Sequence, residues 1–188
     1  VPLIGAVTAK ILVSYCGSAE AVFRSGKKEL LKIPGVGEAI IRQILNAQPE
    51  VLAEQELHFL EQHRIVPLFY TDERYPARLL QCNDCPALLY FKGSDTSLLS
   101  APRIVSVVGT RQPTEYGRAI CEEIIEGLSE YNVVIVSGLA YGIDVTAHRK
   151  SSAHGIANIG VLGHGLSSIY PSEHRNVALK MLEKGGLL

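Results

Sequence analysis

Short apolar runs alternate with stretches of helical spacing through the second half of the chain. Val105-Ser106-Val107-Val108 leads into Gly109-Thr110-Arg111, Val133-Val134-Ile135-Val136 into Ser137-Gly138, and Ile159-Gly160-Val161-Leu162 into Gly163-His164-Gly165. β-Branched runs this short, each followed by a helix, predict buried parallel strands. The first predicted helix covers 115–130, with Thr114 as N-cap and Ile120, Ile124, Ile125 and Leu128 facing inward. The second covers 143–153 and closes at Gly155. A third follows Tyr170-Pro171, with Val177, Ala178, Met181 and Leu182 inward and Gly185-Gly186 at its end. A sheet wound this way gathers its three glycine turns on one edge, where open α/β sheets hold ligands. Backbone N–H groups and helix N-termini at that edge attract anions. The Arg111 guanidinium adds a donor fork suited to phosphate oxygens.

The first third is patterned differently and contains a repeat. Pro34-Gly35-Val36-Gly37 opens a helical segment over 38–46, and Pro2-Leu3-Ile4-Gly5, 32 residues earlier, opens a similar one over 6–14. Lys10 then corresponds to Arg42. The arrangement resembles a pair of helix-hairpin-helix units, whose turns offer backbone N–H groups to nucleic-acid phosphates; Gly35 and Gly37 are the candidate contacts. Leu3 departs from the glycine expected in the first copy. A helical packing module that keeps the shape without the contact is equally consistent, because any tight interhelical turn uses Pro and Gly. Pro49 starts a further helix that ends near Arg64. In the connector over 65–102, Ile65-Val66-Pro67-Leu68-Phe69 and Leu88-Leu89-Tyr90-Phe91 read as edge strands and Lys92-Gly93-Ser94-Asp95 as a turn. The domains expected are therefore 1–64, 65–102 and 103–188.

Charge and composition remove several function classes. Lys/Arg and Asp/Glu number seven and seven over 1–66, three and four over 67–98, and eight and eight over 99–188, so the chain is no basic glove for nucleic acid. Any polyanion must be held by a local pocket. No apolar run approaches a membrane span, and the N-terminus lacks a signal-peptide pattern. Four irregularly spaced cysteines do not suggest a secreted disulfide scaffold, and a cytoplasmic protein is expected. Cys82-Asn83-Asp84-Cys85 has zinc-ligand spacing but no second pair, so it reads as a loop and no metal is expected.

Other candidates weigh toward structure. Asp144 and His148, four apart on the second helix, read as a helix-surface ion pair or a buried hydrogen bond orienting a turn, ahead of acid–base catalysis. Arg149-Lys150 reads as a solvated helix face ahead of a DNA contact. The Gly109 turn lacks three glycines at dinucleotide spacing, and no acid follows the second strand, which argues against an ordinary NAD site.

Gly109-Thr110-Arg111-x-x-Thr114-x-Tyr116-Gly117, Ser137-Gly138-Leu139-Ala140-x-Gly142-Ile143-Asp144-x-x-Ala147-His148 and Val161-Leu162-Gly163-x-Gly165-x-x-x-x-Tyr170-Pro171 together closely resemble the DNA-processing protein A family (DprA, also called Smf). Tyr75-Pro76, Pro86 and Lys92-Gly93 match the family's connector. The resemblance implies a helical, helix-hairpin-helix/SAM-like domain followed by a Rossmann-like parallel α/β domain. It implies a cytoplasmic, non-enzymatic protein without cofactor that binds single-stranded DNA, protects it during natural transformation and loads the RecA recombinase. A homodimer is implied for the full-length family member. Gly109, Thr110, Arg111, Ser137, Gly138, Gly142, Gly163 and Gly165 are the implied DNA or phosphate contacts, supported by Thr114, Arg118, Asp144, His148, Arg149 and Lys150. Two departures stand out: Cys85 where proline is common, and Tyr141 where a basic residue is frequent. The family's further strands, its Arg-Asn-Arg motif and its serine/glycine-rich anion loop do not follow Leu188, so a truncated sheet with an open edge is expected. The competing reading is a phosphoribohydrolase-like enzyme of the same superfamily. Its Pro-Gly-Gly-x-Gly-Thr loop and following glutamate have no match here.

Overall fold

The computed structural model describes residues 1–188. The N-terminal module consists of α1 (Ala6–Cys16), α2 (Ala19–Arg24), α3 (Lys27–Leu30), α4 (Glu38–Leu45) and α5 (Pro49–His63). Leu12, Val22, Leu30, Ile33, Val36, Ile41 and Ile44 form the buried apolar core of its first four helices. The repeat is present in the backbone. Leu3 has φ +65° and Gly35 φ +77°, and Gly5 and Gly37, both extended, precede α1 and α4. The first hairpin keeps its shape although a leucine occupies the left-handed position.

The remaining elements build one sheet. In chain order they are β1 (Val66–Phe69), α6 (Ala77–Leu80), β2 (Leu88–Gly93), β3 (Ile104–Ser106), α7 (Glu115–Gly127), β4 (Val134–Ser137), α8 (Ile143–Ala153), β5 (Ala157–Gly160), α9 (Arg175–Met181) and β6 (Gly186–Leu187). The strand order is β1-β2-β6-β5-β4-β3. β3, β4, β5 and β6 run parallel, whereas β2 pairs antiparallel with both β6 and β1. Strand alternation divides the core. Ile135 packs with Cys121 and Ile125 of α7 and Ala147 of α8. Its neighbour Val134 and Ile159 pack on the opposite side against Leu68, Tyr75, Phe91 and Leu99.

Several expectations change. The first run leaves the sheet early: β3 ends at Ser106, and Val108 is exposed. The open edge expected beside the last strand is absent, because β2 pairs there and the sheet ends at β1 and β3. Lys92 and Gly93 are not a turn: they extend β2 and face Leu187 and Gly186. The third strand stops at Gly160, leaving Val161 to Pro171 as an excursion without helix or strand. On α7, Cys121 and Ile125 are the buried pair, and Ile124 is exposed. Residues three and four apart share a helix face, so Cys121 takes the inward place that the apolar count had given to Ile124.

Candidate functional site

β3, β4 and β5 are neighbouring parallel strands, so their carboxyl ends share one edge. Close backbone approach holds the turns of that edge together. Gly142 has φ +84°, and a Cβ there would collide with the Thr110 carbonyl oxygen and lie 2.8 Å from the Arg111 Cα. Only glycine lets the start of α8 press against the Arg111 turn. The Ile143 N–H then donates to the Thr110 carbonyl at 3.2 Å.

Two predicted contacts serve this internal scaffold. Ser137 is buried, and its hydroxyl donates to the Val107 carbonyl at 2.6 Å, tying β4 to the turn after β3. His148 is fully buried; its Nε2 donates to the Gly138 carbonyl at 2.6 Å, and Nδ1 lies 3.0 Å from Asn158 Oδ1. Both oxygens favour the charged ring, but burial opposes it more strongly and holds the pKa below the usual imidazole value. Asp144 and His148 form no surface ion pair and no hydrogen bond with each other; the bond that orients a turn runs from His148 to Gly138. Asp144 is also buried, with Oδ1 free of any hydrogen-bond partner, and a Cβ on Gly138 would sit 2.5 Å from its Oδ2.

The helix N-termini contribute less than the sequence suggested. Asp144 places a carboxylate in the first turn of α8. α7 begins with the Thr114 hydroxyl accepting from the Gly117 N–H at 3.1 Å, and with Glu115 in its first turn. Each helix start already carries its own acid near the positive end of the dipole. The charge available to an anion therefore resides on guanidinium groups.

Three arginines supply it. Arg111, Arg118 and Arg149 line one cleft of about 440 Å³, together with Glu122, Tyr141, Gly142, Val145, Thr146, Glu173 and His174. A second cleft, about 320 Å³, adjoins it through Arg111 and Tyr141 and is lined by Gly138, Gly163, His164, Tyr170 and Pro171 among others. The chain's ion pairs are Arg24–Glu20, Lys27–Glu38, Arg74–Asp72 and Lys150–Glu126. The three cleft arginines enter none of them. Tyr141 lies between the clefts: its hydroxyl donates to Glu173 at 3.0 Å and its ring meets His174 edge-on at 5.0 Å. That hydrogen bond raises the phenol pKa, while the backbone, Tyr141 and Ser172 together lower that of Glu173.

The structure separates the remaining candidates. Lys150 pairs with Glu126 of α7 at 2.9 Å, outside the arginine cleft. Gly165 lines a different depression, beside Glu56, Phe59 and Tyr90. Gly35 and Gly37 belong to the helical module. Tyr141, at the position where a basic residue is frequent in the family, lines both clefts. The convergence of Arg118 and Arg149 had a signal in the spacing: Gly142, Val145, Thr146 and Arg149 share one face of α8, as Arg118 and Glu122 do on α7.

Comparison with known proteins assigns the family. The family model described as DNA recombination-mediator protein A matches residues 67–188. The chain belongs to the DNA recombination-mediator protein A family. A SAM-like helix-hairpin-helix tandem matches residues 1–47. Protein Smf of Escherichia coli (strain K12) is 37% identical over 142 residues, covering 74% of this chain and 37% of that relative. The X-ray structure of DNA processing protein A from Streptococcus pneumoniae matches with a TM-score of 0.62 at 31% identity, over 79% of this chain and 54% of that one. The Helicobacter pylori family member, described for its single-stranded DNA binding mode, matches with a TM-score of 0.55 at 29% identity, over 66% and 54%. The chain spans about half the length of the curated relatives it matches. No helix is long and apolar enough to cross a membrane.

Proposed function

We propose that this chain binds single-stranded DNA along the carboxyl edge of its sheet, without reading base sequence. The observation that carries the proposal is the convergence of Arg111, Arg118 and Arg149, none of them ion-paired, on one cleft. Guanidinium forks engage phosphate oxygens and carry no base information. Exposed aromatic rings supply the sequence-tolerant half of single-strand recognition. Tyr116 and Tyr170 are largely exposed, and Tyr141 is exposed beside the arginines. Clefts of a few hundred cubic ångström suit individual splayed nucleotides better than an intact duplex.

Family membership extends the proposal to a non-enzymatic, cytoplasmic role in DNA processing during natural transformation, with RecA loading and homodimer formation. Among the predicted contacts, Gly109, Thr110, Gly138, Gly142 and Gly163 shape the edge. Ser137, Asp144 and His148 hold the turns in place.

A salt titration of affinity for a mixed-sequence oligonucleotide tests this reading, run beside a duplex of the same sequence and an assay for nucleoside monophosphate hydrolysis. Affinity should fall steeply with salt, change little with base sequence, and be weaker for the duplex. Equal affinity for both forms, or hydrolysis at the same site, would overturn it.

A further inference from the structure

Cys82 and Cys85 lie at the joint between the helical module and the sheet, outside the arginine cleft. The Cys85 N–H donates to the Cys82 carbonyl at 3.2 Å. This turn brings their Cα atoms within roughly 7 Å, the span a disulfide bridges. Both are free thiols in the structure; Cys82 is exposed and Cys85 buried. Lys10 reaches the turn from α1, across 75 residues of sequence. Its ammonium donates to Cys85 Sγ at 3.3 Å, to the Cys85 carbonyl at 3.0 Å and to the Asn83 carbonyl at 3.1 Å. Those three bonds use all three donors of the ammonium. On the far side, the Tyr75 hydroxyl donates to the Pro86 carbonyl at 2.6 Å. The Tyr75 phenol is pushed up to about 12, chiefly by burial and then by the adjacent Cys85, so it remains a donor. Lys10 thus holds Cys85 directly and Tyr75 holds the next residue, while Cys82 is exposed.

We propose that Cys82 and Cys85 form a redox-active dithiol that exchanges with small disulfides and whose state is transmitted to the helical module through Lys10. The placement of one exposed and one buried thiol sets the order of events. The Cys82 thiolate attacks the disulfide of a low-molecular-weight oxidant such as oxidised glutathione. A mixed disulfide forms and one glutathione thiolate leaves. The Cys85 thiol gives its proton to the departed glutathione thiolate and its sulfur attacks Cys82 Sγ, closing the internal disulfide; the second glutathione leaves as a thiolate and takes up from water the proton that Cys82 released. Two protein thiols and one glutathione disulfide thus become one protein disulfide and two glutathione thiols. Lys10 favours the second step, because a cation at hydrogen-bond distance stabilises negative charge on the attacking sulfur. Closing the disulfide draws Cys85 Sγ toward Cys82 and away from the Lys10 ammonium, so closure weakens one of the three bonds by which Lys10 docks α1 on the turn.

The test titrates the full chain with glutathione redox buffers, traps free thiols by alkylation and locates them by peptide mass. In the wild-type chain, four alkylatable thiols should become two. The peptide containing residues 82–85 should lose two hydrogens without retaining glutathione, and hydrogen exchange in α1 should rise. Cys85→Ala should accumulate a lasting glutathione adduct on Cys82, and Lys10→Met should slow adduct resolution by about tenfold. A wild-type chain that stays fully reduced, or that keeps the adduct without closing the disulfide, overturns the proposal. So does a Lys10→Met chain that resolves at the wild-type rate. The wild-type readout needs no variant to fold, and DNA affinity plays no part in it.

Discussion

Two sets of glycine turns in this chain carry the same kind of sequence signal, and the structure uses them in opposite ways. At the first two turns of the sheet edge the glycines are crowded: a Cβ on Gly109 would lie 2.6 Å from Ile143, and one on Gly138 would lie 2.5 Å from Asp144, whereas Gly163 of the third turn has open space around it. In the helical module Gly5, Gly35 and Gly37 have nothing within 4 Å of where a Cβ would sit. The nearby charges differ as well. Arg111, Arg118 and Arg149 face a shared cleft without partners, whereas Lys27 of the helical module pairs with Glu38 beside the second hairpin. In the first copy, Lys10 docks against the Cys82–Cys85 turn. A glycine that lets two backbones touch builds a site from several segments. A glycine in open space serves only the local turn, and whether that turn meets a ligand depends on charges placed elsewhere.

The largest expected effect separates these two uses of glycine. Gly142→Ala should destabilise the sheet domain by about 3 kcal/mol, because it combines a left-handed φ with a collision against the Arg111 turn. Gly37→Ala has open space and an extended backbone, and it should change stability by less than about 1 kcal/mol. Denaturant midpoints for both variants decide the matter. Equal losses would mean that backbone proximity is not what distinguishes the sheet edge.

Next is the charge itself. Arg111→Ala should weaken single-strand affinity at least tenfold, about 1.4 kcal/mol, and flatten the slope of log affinity against log salt by about 0.7. Lys92→Ala and Arg24→Ala should change both far less; Arg24 is already paired with Glu20 on an exposed helix face. Arg111→Lys should recover part of the loss, since an ammonium cannot reproduce the fork. Wild-type binding by Arg111→Ala at every salt concentration would transfer the site to the hairpin at Gly35 and Gly37.

The parts of this comparison visible in the sequence are those with a short period. Strands and helices follow from spacings of two, three and four residues, as does the Thr114 cap, and the repeat from a four-residue turn that recurs. Pairings across long separations do not. Nothing local to Lys92 specifies Leu187 as its partner in the sheet, and nothing local to Lys10 specifies Cys85. The candidate site was legible as an edge and as Arg111. Its division into wall and ligand-facing groups was not, because burial decides it. Ser137 and Arg111 both read as phosphate donors, yet one hydroxyl is already bonded to Val107 and the guanidinium is free.

A pH titration should distinguish the two regions again. Burial lowers the His148 pKa below its ordinary value of 6.5, so between the folded and unfolded pKa values the unfolded chain binds more protons. The stability contributed by neutral His148 is present above pH 6.5 and is lost as pH falls below it, at no more than about 1.4 kcal/mol per pH unit for one group. Asp144, also buried beside Gly138, opposes part of this by favouring the charged ring. The apolar core of the helical module contains no histidine. Hydrogen exchange at decreasing pH should therefore open α8 and the Gly138 turn before α1 and α4. His148→Gln should remove the difference; uniform opening in the wild-type chain would remove the assigned role of His148.

The smallest expected effect lies within the repeat. Leu3 and Gly35 occupy equivalent hairpin positions with φ +65° and +77°, but only glycine adopts that conformation freely. A left-handed conformation costs an ordinary L-residue roughly 1–2 kcal/mol. Leu3 recovers little of this by burial, because 66% of it is exposed. Asparagine tolerates the left-handed region better, so Leu3→Asn should raise stability by about 0.5 kcal/mol, read as a higher denaturant midpoint at unchanged slope. Glycine relaxes the same strain but increases the freedom of the unfolded chain, so Leu3→Gly should fall between leucine and asparagine. If Leu3→Asn is destabilising, the exposed leucine makes a contribution that strain relief cannot replace, and the first hairpin is no simple relic of the second.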